Sequence, residues 1–296
     1  MISQKKHERV FSFEFFPPKT KDAALKLREV RNTLAQLNPR FFSVTFGAGG
    51  STRDRTLETV LEIQHAGLQA APHLSCIASS REELRTLLDA YRQHGIRHIV
   101  ALRGDLPEEG GTPGDLPHAS DLVAFIRAET GNHFHIEVAA YPEFHPEASN
   151  ASVDLQHFQC KVEAGADSAM TQYFYNPDAY YRFVDSCEKL GITLPIVPGI
   201  MPITNYTQLA RFSDRCGAEI PRWIRKRLEA FSDDAESLRA FGLDVVTELC
   251  HRLLEAGAPG LHFYTMNQAT PVTAIWKNLN LGTKIPPGGS SLTLPA

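Results

Sequence analysis

The chain has 296 residues, 43% of them apolar and 22% charged, with a formal net charge of −4, the composition of a globular protein with a substantial core. There is no surplus of Lys and Arg to neutralise phosphates, which argues against non-specific nucleic-acid binding, and no apolar run approaches the roughly 20 residues that span a bilayer. The N-terminus MISQKKHERV is polar and leads straight into a strand pattern, so it does not read as a signal peptide and the cytoplasm is the expected location.

Short β-branched or aromatic runs recur along the chain: VFSFEFF (10–16), FFSVTF (41–46), QAAPHLSC (69–76), HIVAL (98–102), HIEVAAY (135–141), SAMTQYFY (168–175), LPIVPGI (194–200) and GLHFYTM (260–266). Between them lie segments of helical period, several closing at the glycine expected after a helix C-terminus: Gly67, Gly95, Gly165 and Gly191. The seventh interval, 201–259, is long enough for three helices, and Pro221 is placed to start the second. Strict alternation of strand and helix implies a parallel sheet covered by helices. Eight such units predict an α/β protein, a single-domain (β/α)8 TIM barrel over 10–282 with an N-terminal extension at 1–9. The composition of 283–296, which includes PPGGSSLTLPA, predicts a disordered tail.

The five cysteines are scattered, without a CxxC, which suits reduced thiols. Twelve histidines invite a metal, but HExxH is absent, and Gly95 breaks the helix that would align His94 with His98. No metal site is expected.

In a barrel, chemistry belongs to the C-terminal ends of the strands and the loops after them. In the first strand, Phe11, Phe13 and Phe15 fall on one face and pack outward, while Ser12 and Glu14 point into the mouth. Burying a carboxylate is costly unless something pairs with it. Glu14 is therefore either half of an internal salt bridge with Arg or Lys, or a functional acid whose pKa its aromatic surroundings raise. Arg103-Gly104-Asp105 directly follows the fourth strand. It reads as a simple turn, or as a guanidinium and a carboxylate flanking a ligand where glycine permits close approach. The stretch GAGGSTRD (47–54) lacks the third glycine of GxGxxG and the GK[ST] of a P-loop, and serves equally as a loop that caps the next helix through Ser51 or Thr52. Tyr141 and His145 flank a proline at the fifth strand's end. Asp154 and Lys161, seven apart, share a helix face, either solvated or turned to a site. Gln172 is an amide where a barrel would place an apolar group, a position suited to hydrogen-bonding a substrate. There is no GxSxG and no lysine at a strand end.

The set FSFEFFPPKT, SVTFGAGG, APHLSC, HIVALRGDLP, AAYPEFHPEA, EAGADSAMTQYFY, PIVPGIMPI and LHFYTMNQA resembles, in order and at every strand end, the bacterial methylenetetrahydrofolate reductase family, over about residues 10–282. That resemblance implies a (β/α)8 flavoenzyme that is commonly a homo-oligomer. In the implied ping-pong reaction NADH or NADPH reduces FAD, and 5,10-methylenetetrahydrofolate then receives hydride to become 5-methyltetrahydrofolate, feeding methionine biosynthesis. It implies Glu14 as the acid that opens the folate ring and Asp105 as a charge tuning both half-reactions. FAD would contact Thr45, His73, Arg103, Gly104, Asp105, Ala119, Tyr141, His145, Ala148, Asp154 and Lys161, with Arg103 and Lys161 partners for its pyrophosphate. Gln172, Gln208, Phe212 and Gln268 would contact folate, Phe212 by stacking.

Three positions depart from the pattern. Gln268 stands where better-studied members have an Arg suited to the folate's glutamate tail, and His157 and Cys160 replace an Asn and an Arg at the adenine end of FAD. Loss of one charged contact predicts roughly tenfold weaker FAD retention. Two rival readings share the barrel: a proline-dehydrogenase-like flavin oxidoreductase acting on an imine–amine couple, and a catalytically silent barrel that senses folate or flavin. The first would not need Gln172 and Phe212, and the second would not need both Glu14 and Asp105.

Overall fold

A computed structural model describes residues 1–47, 53–105, 114–231 and 233–282. The glycine-rich stretch at 48–52, with its expected Ser51 or Thr52 cap, and the tail at 283–296 lie outside the described residues. Strands β1 (Val10–Phe15), β2 (Phe41–Val44), β3 (Ala70–Ser75), β4 (His98–Leu102), β5 (His135–Ala140) and β6 (Ser168–Thr171) alternate with helices α1 (Lys21–Ala35), α2 (Arg53–His65), α3 (Arg81–Gln93), α4 (Ala119–Thr130), α5 (Ala151–Glu163) and α6 (Pro177–Lys189). Then come β7 (Ile196–Val197), β8 (Gly199–Ile200), α7 (Tyr206–Cys216), α8 (Arg222–Ala230), α9 (Ala235–Ala256), β9 (Gly260–Tyr264) and α10 (Thr270–Asn278). All pairings are parallel, in the order β7-β6-β5-β4-β3-β2-β1-β9-β8.

The seventh expected strand is split. Pro198 has no N–H to give the ladder, so Ile196–Val197 pairs with β6 and Gly199–Ile200 pairs with β9. The two halves are one extended run, which joins the ends of the sheet into a barrel. The sixth strand is shorter than its apolar run suggests, ending at Thr171. Tyr173, Phe174 and Tyr175 continue as a buried loop into α6, which Asn176 caps and Pro177 starts.

Side-chain parity sorts the barrel into two regions. Outward residues such as Phe13, Phe15, Phe42 and Phe263 join the main core against the helices, with Phe11 edge-on to Trp276 of α10 at 4.8 Å. The inward apolar layer is small: Phe41, Ala71, Val100 and Met170, with Val10 and Leu102 against it. Above and below it the inward positions are polar. The helices are anchored by local chemistry: Thr20 caps α1, Ser80 and Glu83 form a capping box on α3, and Asn150 and Asn205 cap α5 and α7. Gly67, Gly95, Gly165 and Gly191 take positive φ after helices, as their spacing predicts. The long interval holds three helices, with Pro221 as the N-cap of the second.

Candidate active site

Glu14, the penultimate residue of β1, points into the barrel and is 8% exposed. Its Oε2 lies 3.3 Å from His73 Nε2 on β3 and 3.6 Å from His262 Nε2 on β9. Neither contact closes a hydrogen bond, and both Nε2 atoms are buried without a hydrogen-bond partner among the described residues. The far side of His262 is fixed: its Nδ1 lies 2.7 Å from Ser12 Oγ, across the Ser12–His262 register of β1 and β9. Burial alone pushes the Glu14 carboxyl up, but the imidazoles of His262 and His73, by close polar contact and charge, outweigh it and hold the group at about 2. This corrects two sequence expectations. The phenylalanines lie on the other face of β1 and do not raise the acid's pKa, and the carboxylate's partners are histidines rather than Arg or Lys.

The strand ends around Glu14 bring most of the other expected residues together. Thr45 follows β2 and its N–H donates to Phe15 O. Arg103, Gly104 and Asp105 follow β4. Gly104 has φ +88°, and a Cβ there would overlap Ser75 Oγ on the neighbouring strand end, so the close approach is real. Tyr141 and His145 follow β5 and pack edge-on at 4.7 Å. Ala148 is half-buried in the same loop, and Ala119 is half-buried at the start of α4. Asp154, 8% exposed, accepts from the His145 backbone N–H. Lys161 Nζ donates to the Ala139 carbonyl at 2.6 Å. Burial pushes Lys161 down to about 8, with Asp154 pulling the other way. The α5 face bearing this pair is therefore turned inward, which sets aside the solvated reading.

Gln172 follows β6. Its Oε1 accepts from the Tyr173 N–H at 3.0 Å, and among the described residues its NH2 group makes no hydrogen bond. Phe212 on α7 is half-buried and Gln208 exposed. Helix α7 is held over these loops by Ser213, whose Oγ lies 3.1 Å from Tyr173 Oη. Gln268 is exposed after β9 and its side chain makes no described contact. His157 faces His118 in a stacked arrangement at 6.5 Å, and Cys160 is an exposed free thiol.

Four features were not singled out from the sequence. His262 and Tyr264 alternate along GLHFY in the inward register that β1 sets, a parity signal that was there to read. Tyr264 Oη donates to the Thr171 carbonyl at 2.7 Å and ties β9 to β6. Glu147 clamps Arg103 through two bonds of 2.6 and 2.9 Å. At the opposite end of the barrel, His98 Nε2 donates to Glu137 at 3.0 Å. There, burial raises the Glu137 carboxyl while His98 lowers it further, for a net downward shift.

This is the architecture of a barrel enzyme. A carboxylate flanked by two imidazoles sits under a mouth ringed by a guanidinium, a carboxylate, an amide and a lysine. The profile of the family described as Methylenetetrahydrofolate reductase matches residues 1–280. The chain is 44% identical to the 5,10-methylenetetrahydrofolate reductase of Pectobacterium carotovorum subsp. carotovorum over 271 residues, covering 91% of this chain and 90% of the relative. It is 43% identical to that of Escherichia coli (strain K12) over the same shares. The chain belongs to the methylenetetrahydrofolate reductase family. Among solved structures, a Clostridium thermocellum protein that binds two copies of 5-methyl-5,6,7,8-tetrahydrofolic acid superposes with a TM-score of 0.64 at 15% identity, covering 94% of this chain and 95% of its own, a likeness of fold.

Proposed function

We propose that this protein reduces 5,10-methylenetetrahydrofolate to 5-methyltetrahydrofolate, using FAD as the hydride carrier and NADH or NADPH as the reductant. The observation that carries the reading is the inward Glu14 carboxylate, held between His73 and His262 at the ends of the strands. Family membership supports the substrate, and a relative in Arabidopsis thaliana named "Methylenetetrahydrofolate reductase (NADH) 1", 39% identical over 288 residues, supports a nicotinamide reductant. It covers 93% of this chain and 49% of its own length.

The residues present fit FAD. Lys161 is a half-buried cation that donates to the Ala139 carbonyl and lies over the Phe158 ring, and a diphosphate would give it an anionic partner. Arg103 stands in the same strand-end ring with its guanidinium held by Glu147, and it would exchange that carboxylate for phosphate oxygens, which a guanidinium takes in pairs. Gly104, at φ +88°, lets the strand-end loop pack against Ser75 and Ile77, which fixes the course of the chain between Arg103 and Asp105. Arg103 and Lys161 would hold the diphosphate, and Tyr141, His145, Ala119 and Ala148 would line the remainder. Bound there, the flavin would supply the hydride-transfer chemistry between the nicotinamide and the folate's one-carbon unit.

Glu14 supplies the proton that lets the five-membered folate ring open. As the C–N10 bond breaks, the departing nitrogen takes a proton and the one-carbon unit becomes an iminium at N5. In the ligand-free protein Glu14 is a carboxylate. With substrate covering the mouth and water excluded, an ionised carboxyl becomes costly and its protonated form is favoured. His262, anchored by Ser12, and His73 flank the carboxyl and orient it toward the folate. Asp105 places a negative charge beside the site, which stabilises the cationic iminium. Gln172 donates its amide hydrogens to the pterin.

The test is product formation. FAD-loaded protein, NADH and methylenetetrahydrofolate are incubated without oxygen and the folate is resolved by mass. 5-Methyltetrahydrofolate formed in step with NADH loss is the expected result. NADH oxidation that leaves the folate unchanged would remove the proposal.

A further inference from the structure

Where the sheet stops, the end of β1 is held by side chains. The β1–β9 register closes at Glu14 and Tyr264. Thr265, 2% exposed, takes over from the strand: its Oγ1 donates to the Glu14 carbonyl at 2.6 Å. Asn267 follows, its Oδ1 accepting from the Phe16 N–H and its Nδ2 donating to the Phe16 carbonyl, both at 2.9 Å. One amide thus makes both bonds that Phe16 would otherwise give to a neighbouring strand. On the other flank of β1, the Thr45 N–H donates to the Phe15 carbonyl at 2.9 Å. The three residues from Glu14 to Phe16 are therefore gripped alternately from both sides.

The turn that brings these side chains back is an uncommon one. Met266 and Asn267 take φ +52° and +56°, two successive left-handed residues, in a region that most side chains avoid. Backbone of this kind persists where its surroundings over-determine it, and it concentrates at functional sites. Here Thr265 Oγ1 also accepts from the Asn267 N–H at 3.1 Å, and the Thr265 carbonyl accepts from the Gln268 N–H at 2.9 Å. Turn and clamp form one piece.

What that piece holds is the acid. The Glu14 carboxylate lies 3.3 Å from His73 and 3.6 Å from His262 with neither contact a hydrogen bond, so the imidazoles orient the carboxyl without tethering it. Its place is set by the course of the chain at 14–16. We propose that Thr265 and Asn267 are positioning residues for the folate half-reaction: acting through the backbone of Glu14 and Phe16, they hold the carboxyl where the departing nitrogen of the folate ring arrives. The inference rests on the folate reading above and deepens it. Proton transfer falls steeply as the acid is displaced, whereas reduction by the nicotinamide moves a hydride and makes no use of Glu14.

The test separates the two half-reactions at single turnover. FAD-loaded protein reduced by NADH without oxygen is mixed with rising concentrations of methylenetetrahydrofolate, and the limiting rate of flavin reoxidation is read apart from the folate concentration that gives half of it. Thr265→Val removes the hydroxyl at nearly constant shape, and Asn267→Gly removes the amide from a position whose positive φ glycine accepts. Each should lower the limiting rate between about tenfold and about a hundredfold, with the half-saturating concentration and the rate of reduction by NADH unchanged. Thr265→Ser, which keeps the hydroxyl, should restore most of the rate. Limiting rates in both variants equal to that of the unaltered protein would overturn the positioning role. So would a loss that falls equally on reduction by NADH, or one that Thr265→Ser fails to restore, since either marks a general loss of structure. Should Thr265→Val fail to hold FAD, Asn267→Gly, at a half-buried position, decides the matter alone. If reduced flavin in the unaltered protein is not reoxidised by the folate at all, the folate reading falls and the positioning role with it.

Discussion

Glu14 shows how far one residue's chemistry depends on what its strand faces. The FSFEFF pattern placed it inward, and the structure agrees, but the pattern could not say that two imidazoles from strands 59 and 248 residues away would meet it. Long-range partners are set by register, and register is a property of the assembled sheet. The same limit applies to Arg103, whose clamp by Glu147 joins two strand-end loops. Lys161 gives the residue-level test. Its pKa in the ligand-free protein is about 8, and a diphosphate beside it would raise that value. Binding then takes up a proton above the lower pKa, so FAD affinity should hold at neutral pH and fall as pH rises beyond about 8. Fluorescence titration of FAD across pH 7 to 10 reads this directly, and Lys161→Met should flatten the profile. A slope that persists in the variant would assign the proton elsewhere.

Strands β1 and β9 and helix α7 do different work, and the sequence revealed them unequally. The aromatic face of β1 was legible because strand parity is strict: Phe13 is fully buried among Phe42, Phe263 and Trp276 at centroid distances of 5.8, 5.8 and 6.2 Å. Phe13→Ala should cost about 3–5 kcal/mol, since several outward rings and α10 lose a common neighbour, and a denaturant midpoint measurement will show it. The three-helix interval was equally readable from Pro221. The split at Pro198 and the early end of β6 were not, because apolar runs mark burial and say little about where hydrogen bonding stops. That α7 leans over the mouth follows from its contact with Tyr173, which local periodicity does not encode.

Taken together, the protein is a ring of parallel strands, and its closure is where local breaks are most costly. Gln4, fully buried on the short turn Gln4–Lys6, bridges the seventh-strand segment: its Nε2 donates to Leu194 O and its Oε1 accepts from Ile196 N at 2.8 Å. The N-terminal extension is thereby tied to the underside of the barrel. Gln4→Ala leaves a buried N–H and a carbonyl unmatched, at about 1–3 kcal/mol for each group. It should lower the melting temperature by several degrees while leaving flavin reduction by NADH intact, and an unchanged melting curve would show that the tie carries no stability. The barrel class was legible because eight strand-helix units leave few other ways to bury their apolar faces. The site was legible in its ring of polar strand ends but not in its histidines. The account stands or falls on separating the two half-reactions. FAD-loaded protein reduced by NADH without oxygen is mixed with methylenetetrahydrofolate while the return of flavin absorbance is followed, for the unaltered protein and for Glu14→Gln. Rapid return in the unaltered protein, with the variant reduced normally but unable to pass hydride to the folate, is the predicted result. A variant that reoxidises as fast as the unaltered protein would contradict Glu14 as the proton donor.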